Sequence, residues 1–493
     1  LGRAAIVTRT MIDEVANVFN YGKPKTFVTN PEEQNLFEDW HDAIDQVEAI
    51  DVLGTSNVKH HQASRTELTK SPWFGVREPL TMPSQLKKFK NDEGQIILPQ
   101  QVNAKRYKGE RKGIPQNEIN KALTYFADWY PRPSKEQRRV LTLEQAIFGE
   151  GDGWNTSIKI DTSLGFPWNQ SYKKRKQLFT LEPQWISNEL REACEKMMSG
   201  NVEDVLILDN LKDERLSLKK VKSGDTRVFM ILPFHVNIVL KQLFGDFVVY
   251  LQKRWPIAPV KIGISPLPQD WTKLYDYLND NGGNLIAGDY SAWDKKVHYE
   301  LMLSLVDWVN EWYDDEFSEI RRQICQKIFQ CEHLICGTIY KARCGMPSGC
   351  YLTTPFNSLA NLLYWYIFIL TKVPESDMVT HTWWFRPAVY GDDHVMSVYE
   401  HPNINAQTFS DWITDKGLRY TDAYKERPLT PYEPWERIQF LKRTFEIRGG
   451  YVWAPLKKEQ LYDMIQWYRS TPATRSLTLV QLSEQILETV LNE

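Results

Sequence analysis

Apolar residues recur along the chain in two rhythms. Met302, Leu305, Val306, Val309 and Trp312 fall at helical spacing, and Phe317, Ile320, Ile324 and Ile328 repeat it. That spacing predicts two successive amphipathic helices. Ile404 to Lys416 predicts another, with Phe409, Trp412 and Ile413 on one face and Gly417 as its stop. Lys457 to Trp467 and Leu477 to Leu491 predict two more. Leu362 to Leu370 (LLYWYIFIL) is apolar throughout. It falls far short of the ~20 residues that cross a bilayer and predicts a buried helix, so no transmembrane segment is expected. Between these lie strand patterns. Asn284 to Asp289 is a short apolar run ending in an acid, and His333 to Arg343 reads as strand. Pro387 to Val398 (PAVYGDDHVMSV) has two apolar arms around a Gly-Asp turn, a hairpin with carboxylates at its tip.

Composition narrows the class. The chain has 493 residues, with 42% hydrophobic and 25% charged, as in ordinary globular proteins. Disordered and collagen-like classes are excluded. At ~150 residues per domain the length predicts about three domains or one multi-lobed enzyme. Six cysteines in so long a chain make no disulfide framework. Cys325, Cys331, Cys336, Cys344 and Cys350 fit no zinc spacing and read as buried reduced thiols. The opening LGRAAIVTRT lacks the apolar run of a signal peptide, and Leu1 in place of Met reads as a chain cut from a precursor or trimmed.

Charge changes the picture further. Sixty Lys and Arg oppose 63 Asp and Glu, for a net charge of −3. A globally basic coat or tail is excluded, but a local groove is not. The first third carries turn signals such as Lys23-Pro24, Asn30-Pro31 and Met82-Pro83. Basic residues gather in three runs: Lys87, Lys88, Lys90, Lys105, Arg106, Lys108, Arg111 and Lys112; Lys173 to Lys176; and KDERLSLKKVKSGDTR over 212–227. Each run alone reads as a solvated face. Three of them in a nearly neutral chain favour an anionic partner in a groove.

The candidate chemistry sits in the hairpin turn YGDD, Tyr390 to Asp393. Adjacent acids can be a plain exposed turn. The apolar arms argue for a turn projecting from a buried hairpin, where paired carboxylates repel unless a cation neutralises them. Asp289 ends another buried run. Two strand ends presenting carboxylates side by side make a hard-oxygen site suited to Mg²⁺, and two such ions can serve phosphoryl transfer.

At these residues the chain resembles the RNA-dependent RNA polymerases of picorna-like positive-strand RNA viruses (Picornavirales, with insect iflaviruses and dicistroviruses as candidates). Thr162-Ser163-Leu164-Gly165-Phe166-Pro167 is similar to the family's template-entry loop. Lys212-Asp213-Glu214-Arg215 through Thr226-Arg227 is similar to its basic finger motif. Asp289-Tyr290-Ser291-Ala292-Trp293-Asp294 resembles the first palm motif. Gly345-Met346-Pro347-Ser348-Gly349, with Thr353 and Asn357-Ser358, resembles the second, YGDD the third, and Phe440-Leu441-Lys442-Arg443 the primer grip. The order of the series over roughly 160–445 carries the resemblance more than any one motif.

The resemblance implies an α+β right hand, with fingers, a palm of antiparallel sheet and helices, and a mostly helical thumb. The expected division is 1–284 fingers with an N-terminal segment, the palm beginning near 230–284; 285–330 palm; 331–347 a fingers/palm junction; 348–445 palm; and 446–493 a short or truncated thumb. It implies two Mg²⁺ ions, with Mn²⁺ as substitute, held by Asp289, Asp392, Asp393 and the Tyr290 carbonyl. Lys425 would protonate the leaving pyrophosphate. Lys212, Lys220 and Arg227 would face the triphosphate, while Asp294, Ser348, Thr353 and Asn357 would bind the nucleotide, with Asp294, Ser348 and Asn357 sensing its ribose. Thr162, Ser163, Gly349, Lys442 and Arg443 would contact RNA. Implied partners are template and primer or product RNA, NTPs, a small genome-linked protein primer and other viral replication proteins. The implied setting is the host cytoplasm at membrane-associated replication complexes. Arg215 directly after Glu214, and Asp225 where a basic residue is frequent, depart from the family pattern. A reverse transcriptase and a catalytically dead RNA-binding scaffold are the rival readings.

Overall fold

The computed structural model describes residues 50–491, apart from Asn57, Lys59, His61, Lys108, Glu110 and Glu426. The Lys23-Pro24 and Asn30-Pro31 turns, the opening decapeptide and Lys108 of the first basic run lie outside the described residues.

Thr353–Leu370 forms the central helix, and Pro355 to Ile369 are all buried along it. A helix apolar on every face is stable only inside a core. It packs on Gln116–Thr124, Tyr299–Tyr313, Ala406–Asp415 and the strand Phe385–Tyr390. Trp365 stacks on Phe409 with ring centroids 3.8 Å apart. Tyr299–Tyr313, Ser318–Phe329 and Ala406–Asp415 are the helices that the apolar spacing predicts. A second long helix, Phe234–Arg254, is the one described helix long and apolar enough to cross a membrane by length and composition. Most of it is buried inside the protein, against Leu143–Phe148 and Asn188–Met198.

Two sheets matter for the site. One has three strands in the order Asn284–Ala287, Asp393–Val398, Phe385–Tyr390. The other has five, in the order Ile50–Thr55, Thr338–Ala342, Glu332–Ile335, Leu206–Leu211, Val228–Ile231. Phe166, Leu206, Leu208, Leu334 and Ile339 form a small apolar cluster of their own, whereas Ile207, Ile335 and Tyr340 join the main core.

Four expectations need correcting. His333 to Arg343 is not one strand but two, reversed by Cys336 (φ 48°) and Gly337 (φ 80°). The reversal leaves Cys336 exposed, while the other cysteines are buried; all six are free thiols. The helix expected over Lys457 to Trp467 spans Lys458–Met464, and Trp467 begins a strand. That strand, Trp467–Arg469, returns to pair antiparallel with Leu68–Lys70 near the start of the described chain. Asp463 fastens the same junction: its carboxylate accepts the N–H groups of Leu80 (2.8 Å) and Thr81 (3.0 Å) and pairs with Arg215 at 3.3 Å. The C-terminal segment also carries the hairpin strands Glu446–Arg448 and Tyr451–Trp453, so helix is only part of it.

Candidate active site

The register of the three-stranded sheet builds the centre. Asn284 pairs with Val398 and Ala287 with Val395, which carries Asp289, two residues on, to the same sheet end as Asp392 and Asp393. Gly288 allows this path because the Tyr420 ring lies where a Cβ would stand, 2.2 Å away. Tyr390 and Asp393 pair across a two-residue loop of Gly391 (φ 63°) and Asp392. Glycine first in such a loop is the II′ hairpin pattern.

The central helix holds that turn from behind. Ser358 Oγ accepts the Gly391 N–H (2.7 Å), and Asn361 Nδ2 donates to the carbonyls of Gly391 (3.1 Å) and Asp392 (3.2 Å). Tyr290 in turn donates to Asn361 Oδ1 at 3.0 Å. Asp393 is fixed differently, its Oδ2 accepting the Leu441 N–H at 2.6 Å. That donor comes from the Phe440-Arg443 turn, in which Leu441 and Lys442 both take positive φ, 52° and 63°.

The electrostatics suit a cation. Burial first, then the charges of Asp289 and Asp294, push the Asp392 carboxyl up to about 6. Burial, then Asp392 and Asp289, push Asp393 up to about 7. Carboxylates raised this way ionise more readily when positive charge arrives. The Lys425 ammonium already supplies some, 2.5 Å from Asp289 Oδ2. The donors are hard oxygens, as Mg²⁺ and Mn²⁺ prefer. Among the described residues no group of three or more His, Cys, Asp or Glu is already arranged around a metal position. The fit therefore rests on Asp289 and Asp392, with Asp393 engaged by Leu441.

Basic residues face this centre from the 212–227 stretch. Glu214 holds the Arg227 guanidinium through two oxygens and lies 3.5 Å from Lys212 Nζ. That pairing raises the Arg227 pKa, and Asp294 and Asp392 add to the shift across the cleft. Burial lowers the Lys220 pKa, as do the nearby charges of Arg106, Lys425 and Arg227.

The 345–357 segment supplies the other wall. Gly349 passes so close to Met230 that a Cβ would meet its carbonyl oxygen at 1.9 Å. Ser348 Oγ accepts the Met230 N–H (3.1 Å), and Thr353 Oγ1 donates to the carbonyls of Pro347 and Cys350, both at 2.7 Å. Asn357 is 6% exposed and its Oδ1 is buried without a hydrogen-bond partner.

The candidate RNA contacts are spread around the centre. Thr162 Oγ1 reaches the Lys159 carbonyl at 3.5 Å, and Arg443 donates to the Ala454 carbonyl at 2.9 Å. Ser163 offers its carbonyl to Arg175, which donates from Nε (3.1 Å) and Nη2 (2.9 Å). Arg175 thus turns inward rather than joining a basic face. Arg106, Lys112, Arg215 and Lys222 likewise pair with Asp225, Asp415, Asp463 and Asp92. Sequence reading missed the roles of Glu214, Arg175, Ser358 and Asn361. The Asn357-Ser358 pair with Asn361 on a buried helix was the signal for the last two, since buried polar groups need partners.

A family model described as viral RNA-dependent RNA polymerase matches residues 75–493. The chain is 29% identical over 433 residues to the genome polyprotein of Rice tungro spherical virus (strain Vt6), covering 80% of this chain and 12% of that protein. It is 26% identical over 464 residues to the replicase polyprotein of Acute bee paralysis virus, covering 88% and 24%. For the Cricket paralysis virus replicase polyprotein the figures are 25% over 487 residues, 89% and 27%. The chain thus spans about a quarter or less of these relatives. Among solved structures it superposes on a Sicinivirus 3Dpol RNA dependent RNA polymerase with a TM-score of 0.75 and 22% identity, covering 87% of this chain and 91% of that one.

Proposed function

The chain belongs to the viral RNA-dependent RNA polymerases, and from that premise we propose that it joins ribonucleoside triphosphates to an RNA 3′ end or a protein primer on an RNA template, in replication of a picorna-like viral genome. The observation that carries this reading is the sheet register that brings Asp289 to the end where Asp392 sits. Asp289 and Asp392 would hold two Mg²⁺ ions, or Mn²⁺, with the Tyr290 carbonyl and Asp393 in support. Bound there, the ions would supply charge stabilisation for an in-line phosphoryl displacement.

The chain's own residues do the rest. Ser358 and Asn361 keep the Asp392 turn fixed. Arg227, steadied by Glu214, would meet the triphosphate with Lys212 and Lys220, its planar fork matching phosphate oxygens. Lys425 would deliver a proton to the leaving pyrophosphate. Asp294, Ser348 and Asn357 would read the ribose, and the partnerless Asn357 oxygen supports this, since it can accept from a hydroxyl that a deoxynucleotide lacks. The same observation favours a ribonucleotide polymerase over a reverse transcriptase. Thr162, Ser163 and Gly349 would guide the template, and Lys442 and Arg443 the primer backbone. The three-lobed division, a genome-linked protein primer, other viral replication proteins and cytoplasmic, membrane-associated replication belong to the same proposal.

The test is primer extension on an RNA template. Asp289→Asn and Asp392→Asn should each cut Mg²⁺-dependent incorporation by about three orders of magnitude, the scale of losing one preorganised charge-stabilising group. RNA binding should persist. Near-normal synthesis by either variant would overturn the reading.

A further inference from the structure

The five-stranded sheet buries a polar chain that the site does not use directly. Asp209, 0% exposed, sits mid-strand, with His333 Nδ1 3.0 Å from its Oδ1 and the Tyr340 hydroxyl donating to its Oδ2 at 2.5 Å. His333 and Tyr340 pair directly across neighbouring strands, and their rings stack at 4.9 Å. His333 Nε2 reaches Cys331 Sγ at 3.3 Å. The Tyr340 ring meets the Tyr107 ring edge-on in turn, with centroids 6.4 Å apart. The face of the Tyr107 ring holds the buried Lys295 ammonium, 4.3 Å from its centroid, and Lys295 follows Asp294 in sequence.

The far end of this polar chain is tied to the 344–347 loop that walls the site. Cys344 donates to the Lys295 carbonyl (3.1 Å), Met346 N–H to the Asp294 carbonyl (2.8 Å) and Gly345 N–H to the Val297 carbonyl (3.0 Å). Gly345 has no room for a side chain, since a Cβ would stand 2.4 Å from the Asp294 carbonyl oxygen. Tyr107, Asp294, His333, Gly345, Met346 and Pro347 line one shared cleft. Apolar residues could fill this interior at equal or better stability, because desolvating charges costs what their pairing returns. What a fully satisfied buried network adds is a unique, rigid geometry.

We propose that Asp209, His333, Tyr340 and Tyr107 form a positioning relay that fixes Lys295 and the 344–347 loop, and through them the place of the Asp294 carboxylate and the strictness of ribose selection. This rests on the ribose-reading role of Asp294 given above. The relay touches neither substrate nor metal; it acts only through Asp294.

Tyr340→Phe removes the hydroxyl that Asp209 holds and keeps the ring, and Tyr107→Leu removes the ring that lies between Tyr340 and the Lys295 ammonium. The test is single-nucleotide incorporation by the full chain, with kcat and KM measured for an NTP and the matching dNTP. Both variants should lower the NTP-to-dNTP ratio of kcat/KM by about three- to tenfold, the worth of one hydrogen bond for Tyr340 and of one cation–π contact for Tyr107. Tyr340→Phe combined with Asp294→Ala should match Asp294→Ala alone, as expected of residues acting through one group. If Asp294→Ala shifts the ratio and both Tyr variants leave it unchanged, or lower both substrates in proportion, the relay is overturned and the ribose reading stands. If Asp294→Ala itself leaves the ratio unchanged, the ribose reading falls and the relay with it. Should Tyr340→Phe fail to fold, Tyr107→Leu decides, because it leaves both donors on Asp209 intact.

Discussion

Asn357 and Lys425 show how single side chains can be poised for a ligand. A buried acceptor without a donor costs about 1–3 kcal/mol, so the Asn357 oxygen is an expense that a hydroxyl would offset. Asn357→Ala should reduce discrimination against dNTPs by about tenfold or more, with NTP turnover less affected; parallel single-turnover assays with both substrates measure it. Lys425 presents the opposite case, a cation lying on Asp289 before any metal does. The pair is half-exposed, so its net worth is only ~0–1 kcal/mol. Lys425→Met should therefore leave the melting temperature nearly unchanged and tighten Mg²⁺ binding by isothermal titration. Incorporation should nevertheless slow by about 10²-fold, because the proton donor is gone. Weaker Mg²⁺ binding in that variant would argue against the ammonium as a competitor for the site.

At the scale of elements, the template-entry loop depends on its neighbours. Arg175 gives three hydrogen bonds to the carbonyls of Ser163 and Lys159 and stacks 4.2 Å over Phe234. Arg175→Lys keeps the charge but loses the planar fork. It should weaken template binding severalfold in fluorescence anisotropy without changing the KM for NTPs. Beside the loop, the Trp168 indole donates to His235 Nδ1 at 2.8 Å. Burial depresses the His235 pKa to about 4. With an unfolded value near 6.5, the neutral ring stabilises the fold fully above pH 6.5. That contribution is lost as pH falls from 6.5 through 4. His235→Gln keeps an acceptor but cannot titrate, so its melting temperature should fall less than that of the unaltered chain between pH 7 and pH 4.5.

These elements also mark how far the sequence was legible. The YGDD hairpin and the helices were readable because apolar period and turn chemistry agree there. The inward turn of Arg175 was not, since a run of four bases carries no sign of which one is buried. Asp209 was hidden for the converse reason: in Leu206–Leu211 it occupies an inward position that strand alternation assigns to an apolar residue. The turn at Cys336 was missed because the chain there takes a positive φ at a residue other than glycine.

On the scale of the whole molecule, a segment near the start of the described chain and one near its end close on each other. Leu68–Lys70 pairs with Trp467–Arg469, and Arg469 also reaches Glu67 and Asp213 at 2.9 and 3.1 Å. Asp213 and Arg215 flank Glu214, the residue that steadies Arg227. The C-terminal segment thus supports the basic stretch that faces the triphosphate, although it lies far away in sequence. Asp463 is the strongest of these ties, because its buried carboxylate holds two backbone N–H groups and Arg215 together. Removing one partner of such a group leaves the others unsatisfied and costs about 2–4 kcal/mol. Asp463→Ala should therefore speed hydrogen exchange in Leu80, Thr81 and the Lys458–Met464 helix before it affects the central helix. If the segment also steadies Arg227 through residues 213–215, the same variant should raise the KM for NTPs while leaving the kcat at saturation within about twofold, since Asp289 and Asp392 rest on other sheets. A loss confined to kcat would separate the C-terminal closure from nucleotide binding and assign it to the catalytic centre instead.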